Sequence, residues 1–280
     1  MVSKTIAFSL AALAVVTLAG CGGGGSSQSA SSPSRETARL HTLAAARATR
    51  NRTAFASFSI RAGQAVINRN RSAMSSRSAV TGQDAPTQLY YTLTTNADGS
   101  GKYDLFTDAA HAIAAGSVSW GIPVWANGIP DTYPAVLHLT FDIKAGSYKG
   151  DRGTADVTLK DASQSPIVIH TVVQDSQGDT ETGDIEQGVD TETGTAQGTL
   201  EDGSHFDATL FSGIDGVMSS DIHFQDGSKA RVVVHPDGSE TVTETGQNGD
   251  AGATENNRSD GQGNINFQDG SQGDNVNVNA

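Results

Sequence analysis

The residues best equipped for chemistry lie between positions 120 and 133. Trp120-Gly121-Ile122-Pro123-Val124-Trp125-Ala126-Asn127-Gly128-Ile129-Pro130-Asp131-Thr132-Tyr133 holds both tryptophans of the chain and one of its five tyrosines. Gly-Ile-Pro occurs twice within it, seven residues apart. Two prolines and two glycines preclude a regular helix. A proline-fixed loop of this kind can present Trp120, Trp125 and Tyr133 as stacking faces to a sugar or a peptide, since large amphipathic rings make good anchors. The same rings can equally plug the open end of a sheet as core, and that simpler use is preferred.

Metal chemistry has one candidate. Asn96, Asp98, Ser100, Gly101 and Asp104 approximate positions 1, 3, 5, 6 and 9 of an oxygen-ligand calcium loop, although Thr107 stands where the bidentate Glu belongs. A plain hairpin loop explains the same residues. The acidic run Asp179, Glu181, Asp184, Glu186, Asp190 and Glu192 reads as a solvated negative face that can attract cations diffusely.

Catalytic signatures are absent: there is no Gly-x-Ser-x-Gly elbow, no His-Glu-x-x-His and no phosphate-binding loop. The seven histidines lack metal-ligand spacing. On strands, His205 with Asp207 and His138 with Asp142 share faces, but neither pair has a nucleophile beside it.

The elements that carry these residues follow from periodicity. Leu40, Leu43, Ala44, Ala48, Phe55, Phe58, Ala62 and Val66 fall on one stripe at 100° per residue, which predicts an amphipathic helix ending near Gly63 to Ile67. That segment packs on the rest of the protein, the preferred reading, or lies on anionic lipid, or is disordered. From residue 86 the period becomes two. Leu89–Thr94 and Lys102–Phe106 flank a turn, Val136–Ile143 alternates cleanly, and Ala155–Lys160 and Ile167–Gln174 follow as strands. Asp-Gly-Ser recurs at 98, 202, 226, 237 and 269, which predicts a meander of hairpins with two-residue type I′ turns. The fold class is therefore mainly β: an antiparallel hairpin meander forming a sheet, sandwich or partly open barrel, preceded by an amphipathic helical segment.

Charge divides the 280 residues sharply. The net charge is −13, yet residues 35–84 hold nine arginines against only Glu36 and Asp84, and residues from 85 onward hold 8 basic and 29 acidic groups. An acidic chain of this kind is not a nucleic-acid binder. Large aliphatics thin out late: residues 175–199 offer only Ile185 and Val189, and residues 244–264 none. Ragged order is expected beyond residue 245.

The N-terminus carries an address. Lys4 precedes an apolar run from Ile6 to Ala19 that is too short to span a bilayer. It ends Leu18-Ala19-Gly20-Cys21, and Cys21 is the only cysteine. This resembles the bacterial lipoprotein signal. The resemblance implies cleavage between Gly20 and Cys21 and lipidation of the Cys21 thiol. It also implies anchoring in the cell envelope, with Gly22 pointing to the outer membrane where the source has one. Acyl chains contribute about 0.8 kcal/mol per buried CH₂, so two or three of them anchor firmly.

The organisation expected is a signal peptide (1–20), a lipidated Cys and Gly/Ser tether (21–34), an Arg-rich helical segment (35–84), an antiparallel β domain (85–245) and a polar hairpin or disordered tail (246–280). The function expected is a non-catalytic binding or structural module held to the membrane by its lipid. Its partner would be a glycan, a peptide or an envelope protein, and it would need no cofactor. The alternatives are a secreted hydrolase using two carboxylates and a calcium-stabilised adhesin.

Overall fold

The computed structural model describes residues 32–71, 78–84, 87–163, 165–213, 217–246, 252–259, 261–268 and 273–278. Cys21, the expected signal and the expected tether as far as residue 31 lie outside them, and residues 32–34 of that tether instead begin the helix. One long helix, α1 (Ser32–Arg71), is followed by strands throughout. In order these are β1 (Ser78–Gln83), β2 (Tyr90–Thr95), β3 (Gly101–Phe106), β4 (Ala114–Trp120), β5 (Val124–Trp125), β6 (Ala135–Ile143), β7 (Arg152–Leu159) and β8 (Ile167–Gln174). Next come β9 (Thr180–Gln187), β10 (Glu192–Thr199), β11 (His205–Ser212), β12 (Met218–Phe224) and β13 (Lys229–Val234). The last four are β14 (Glu240–Thr245), β15 (Ala253–Asn257), β16 (Gln262–Phe267) and β17 (Asp274–Asn277).

Every strand pairs antiparallel with its sequence neighbour, apart from one interruption, and all 17 belong to one sheet. The interruption is Gly121-Ile122-Pro123. β4 pairs with Leu139–Ile143 of β6, and β5 resumes along the same edge opposite Ala135 and Val136. Pro123 has no N–H to give the ladder, so pairing stops there.

The helix is the centre of the molecule. It runs 40 residues, about 60 Å, and contacts strands from β2 to β15. Between residues 41 and 67 nearly every side chain is buried; only Arg47, Ala48, Ser57, Arg61, Gln64 and Ala65 retain partial exposure. A helix buried almost all round must carry small residues, and alanine supplies them: Ala44, Ala45, Ala46, Ala54, Ala56 and Ala62 are all at or below 3% exposure. Two apolar clusters line its length. Ala54 to Ile67 pack with the inward residues of β2 to β9, whereas Ala38 to Ala46 pack with those of β10 to β17. Close approach is bought at glycines: a Cβ on Gly63 would meet Leu159 at 2.9 Å, and one on Gly153 would meet Phe55 at 2.8 Å. Phe55 instead stacks on Phe141, with centroids 4.0 Å apart.

Three expectations need correction. First, the arginine flank of the helix faces neither lipid nor open solvent at its waist. Arg47 pairs with Asp175 and Asp179, Arg50 with Glu240, and Arg52 with Glu181. The basic segment and the acidic sheet are two halves of one internal ion-pair system. Glu181 is accordingly buried, so the acidic run 179–192 is not a uniformly solvated face. The helix also stops at Arg71, and Ser78–Gln83 of the supposed helical segment is the edge strand β1.

Second, the Asp-Gly-Ser turns are three-residue loops. Gly99 N–H donates to Asn96 O and Asn96 N–H to Ser100 O, a pattern repeated at 200–204, 224–228 and 235–239. Only the glycine has positive φ, 79° to 92° at these four sites, as in a type I turn closed by a left-handed residue. The Asp is needed for another reason: its Oδ1 accepts both the N–H and the O–H of the following Ser. The fifth copy, at 269, lies outside the described residues.

Third, strands continue past residue 245. β15 to β17 extend the ladder because their inward positions, Ala253, Ile265, Phe267 and Val276, still cover the start of the helix.

Candidate functional site

The aromatic loop does not present its rings. Trp120 is 4% and Trp125 is 7% exposed. Trp120 Nε1–H donates to Gly99 O at 2.9 Å, and Tyr103 packs against the same indole. Trp125 meets Tyr133 edge-on, with centroids 5.7 Å apart. The rings belong to the buried cluster packed around the helix, and what the loop shows to solvent is Ile122, Val124 and Ile129.

The calcium candidates do not converge. Asn96 Nδ2–H donates to Ser100 Oγ, and Asp98 Oδ1 is occupied by Ser100. These hydrogen bonds to the ionised form hold the Asp98 carboxyl below its ordinary range. Asp104 lies three residues along β3 from the turn and pairs with Lys102 at 2.8 Å. Among the described residues, no three His, Cys, Asp or Glu side chains are grouped to hold a metal ion.

The histidines find carboxylates on neighbouring strands, not along their own. His138 Nδ1 lies 2.6 Å from Asp156 Oδ1, and His170 Nδ1 lies 2.8 Å from Asp184 Oδ1. Strand register places His138, Asp156, His170 and Asp184 directly side by side on the outer face of β6 to β9. Asp142 pairs with Lys144, and His205 with Thr199. Sequence spacing missed the row because its members are 14 to 18 residues apart and meet only through register.

The outer face then dips. On β10 the outward positions are Thr193, Thr195, Gln197 and Thr199, whereas Gly194, Ala196 and Gly198 belong to the inward face. Two adjoining depressions follow, of about 610 and 580 Å³. Both are lined by Thr182, Gln197, Asp207 and His223, which are hydrogen-bonding groups on successive strands β9 to β12. His170 and Asp184 border one end, and Asp221 borders the other. Phe211 stands on this same face, two residues along β11 from Thr209, with 51% of its surface exposed. Period-two alternation from His205 predicts that outward position.

The interior has a different character. Asp84, Asp151, Asp175, Glu181, Glu240, Glu244 and Glu255 are all buried, whereas among the described residues the buried arginines are Arg50 and Arg52. Burial pushes Asp151, Glu244 and Glu255 up to about 7, with Asp175 adding to Asp151, Asp226 to Glu244 and Glu240 to Glu255. Burial likewise raises Asp175 and Glu240 above the carboxylate range. His41, stacked on Phe224 at 3.9 Å and bonded to Ser228, is held below the usual imidazole range by burial.

No family model matches the chain, and no curated protein or solved structure matches it either.

Proposed function

We propose that this is a lipid-anchored protein of the bacterial cell envelope whose folded body is a non-catalytic glycan-binding module. The anchor is Cys21, on the strength of the Leu-Ala-Gly-Cys signal. The observation that carries the binding reading is the polar trough on the outer face of β9 to β12. A chain of sugar hydroxyls needs both donors and acceptors at short spacing, and Thr182, Gln197, Asp207 and His223 supply both. The C–H face of a sugar ring needs a flat apolar partner, and Phe211 is the exposed ring of that surface. The concave side of the sheet is filled by the helix, so the outer face is what the body offers to a large ligand.

The test is retention on insoluble envelope polysaccharides, followed by titration with soluble fragments. Saturable binding is expected, weakened by Phe211→Ala and by Asp207→Ala without a change in melting temperature. Binding that is untouched by both substitutions refutes the trough as the site. Mass spectrometry of the mature N-terminus tests the anchor: an acylated Cys21 is expected, and an unmodified thiol refutes it.

A further inference from the structure

The sheet leaves one side of the helix partly uncovered, and the gap is shaped for a ligand. The stripe Ser57, Arg61, Gln64 of α1 faces a cleft of about 450 Å³, closed on the other side by Glu192, Met218 and Val234 with His235 at its edge. Its apolar wall is Ile60, Met218, Val234 and Pro236. Met218 is held in place by Thr53, whose hydroxyl lies 3.9 Å from the thioether sulfur.

The polar groups of this cleft are unbalanced. Register places Gln187, Glu192, Ser212, Met218 and Val234 in one inward row across β9 to β13. Gln187 Oε1 is buried and receives no hydrogen bond. Glu192 beside it has no cation within ion-pair distance among the described residues. Burial alone raises its carboxyl above the ordinary range. A half-buried carboxylate without a counter-cation, beside a buried acceptor without a donor, is an unbalanced arrangement that a cation in the cleft would relieve. Arg61 does not fill that role. Its Nε pairs with buried Asp84 at 3.2 Å and its Nη1–H donates to Tyr91 Oη at 3.2 Å.

We propose that this cleft binds an aliphatic primary amine. The ammonium donates to Glu192, and the alkyl chain lies along Ile60, Met218, Val234 and Pro236. An ammonium supplies three donors and the charge that Glu192 lacks, and the net charge of −13 favours its approach. The site is separate from the outer trough and stands whether or not a glycan binds there.

Hexylamine is the probe, with hexanol and hexanoate as controls, added to the full-length protein in detergent. Methyl-labelled methionine reports directly, because Met218 lines the cleft and is one of three methionines. Hexylamine should shift the Met218 methyl resonance saturably and more tightly than either control. Glu192→Gln should weaken the amine roughly ten- to hundredfold while leaving hexanol unchanged. An unmoved Met218 signal, or hexanol and hexanoate binding as well as hexylamine, overturns the proposal. So does amine binding that survives Glu192→Gln. Should that variant fail to fold, the comparison of the three probes on the native protein decides alone.

Discussion

Arg52 and Glu181 meet inside the sheet as a two-pronged ion pair, Nε to Oε1 at 2.6 Å and Nη2 to Oε2 at 2.9 Å. Among the described residues Arg52 is the largest fully buried side chain, and its Nη1–H donates to Ser220 at 2.8 Å. The pair stands where the two apolar clusters of the helix join. Removing one partner strands the other charge away from water. Glu181→Gln or Arg52→Met should each lower unfolding free energy by about 3–5 kcal/mol. The double variant Arg52→Met/Glu181→Leu should recover most of that. Urea denaturation of the three variants checks it, and an additive double mutant would contradict the pairing.

Stability should fall as pH rises. Asp151, Glu244 and Glu255 are pushed up to about 7 in the folded protein, against ordinary values near 4. Between those values the folded state holds protons that the unfolded chain has released. The contribution of these groups is complete below about pH 4 and is lost as pH climbs through about 7. The melting temperature should therefore be higher at pH 5.5 than at pH 8.5. Glu255→Gln, which cannot ionise, should flatten the profile; an unchanged profile would show that Glu255 is not its source.

Trp120 and Trp125 should behave as core. Trp120→Ala should cost about 3–5 kcal/mol, whereas Trp120→Phe, which loses the bond to Gly99 and part of the ring, should cost less. Wild-type emission should be that of shielded indoles, resistant to quenching by iodide. Ready quenching would place the rings at the surface.

Gly153→Ala tests how closely the helix is gripped. The new methyl would lie 2.2 Å from Val172 O and 2.8 Å from Phe55. Overpacking at a backbone contact should destabilise by about 1–3 kcal/mol. A thermal melt unchanged from wild type would mean that β7 can move away from the helix.

Much of the sheet was legible in the sequence. β6 and β8 appear almost residue for residue in the alternation of Val136–Ile143 and Ile167–Gln174. Local pattern settles such strands because each buries one face. The helix was legible as a helix but not as a centrepiece: its apolar stripe reveals one face, whereas Arg50 and Arg52 are buried by carboxylates far along the chain. The same limit hid the row from His138 to Asp184. Register joins these residues, and a single strand contains no signal of its neighbour's register. The turns misled for a local reason, since Asp-Gly satisfies both a two-residue loop and the three-residue loop that the serine selects.

Among the described residues the helix comes first, and it ends up innermost. Arg50 finds its partners 190 and 208 residues later, in Glu240 and the Arg258 carbonyl. A ribosome therefore makes the strut long before the wrapping, and the earliest residues must wait for the latest to be shielded from water. Such separations slow folding. They also make the C-terminal strands a checkpoint: a chain cut short after β13 would leave Arg50 without Glu240 and part of the alanine face near residue 45 uncovered, visible to any quality-control protease.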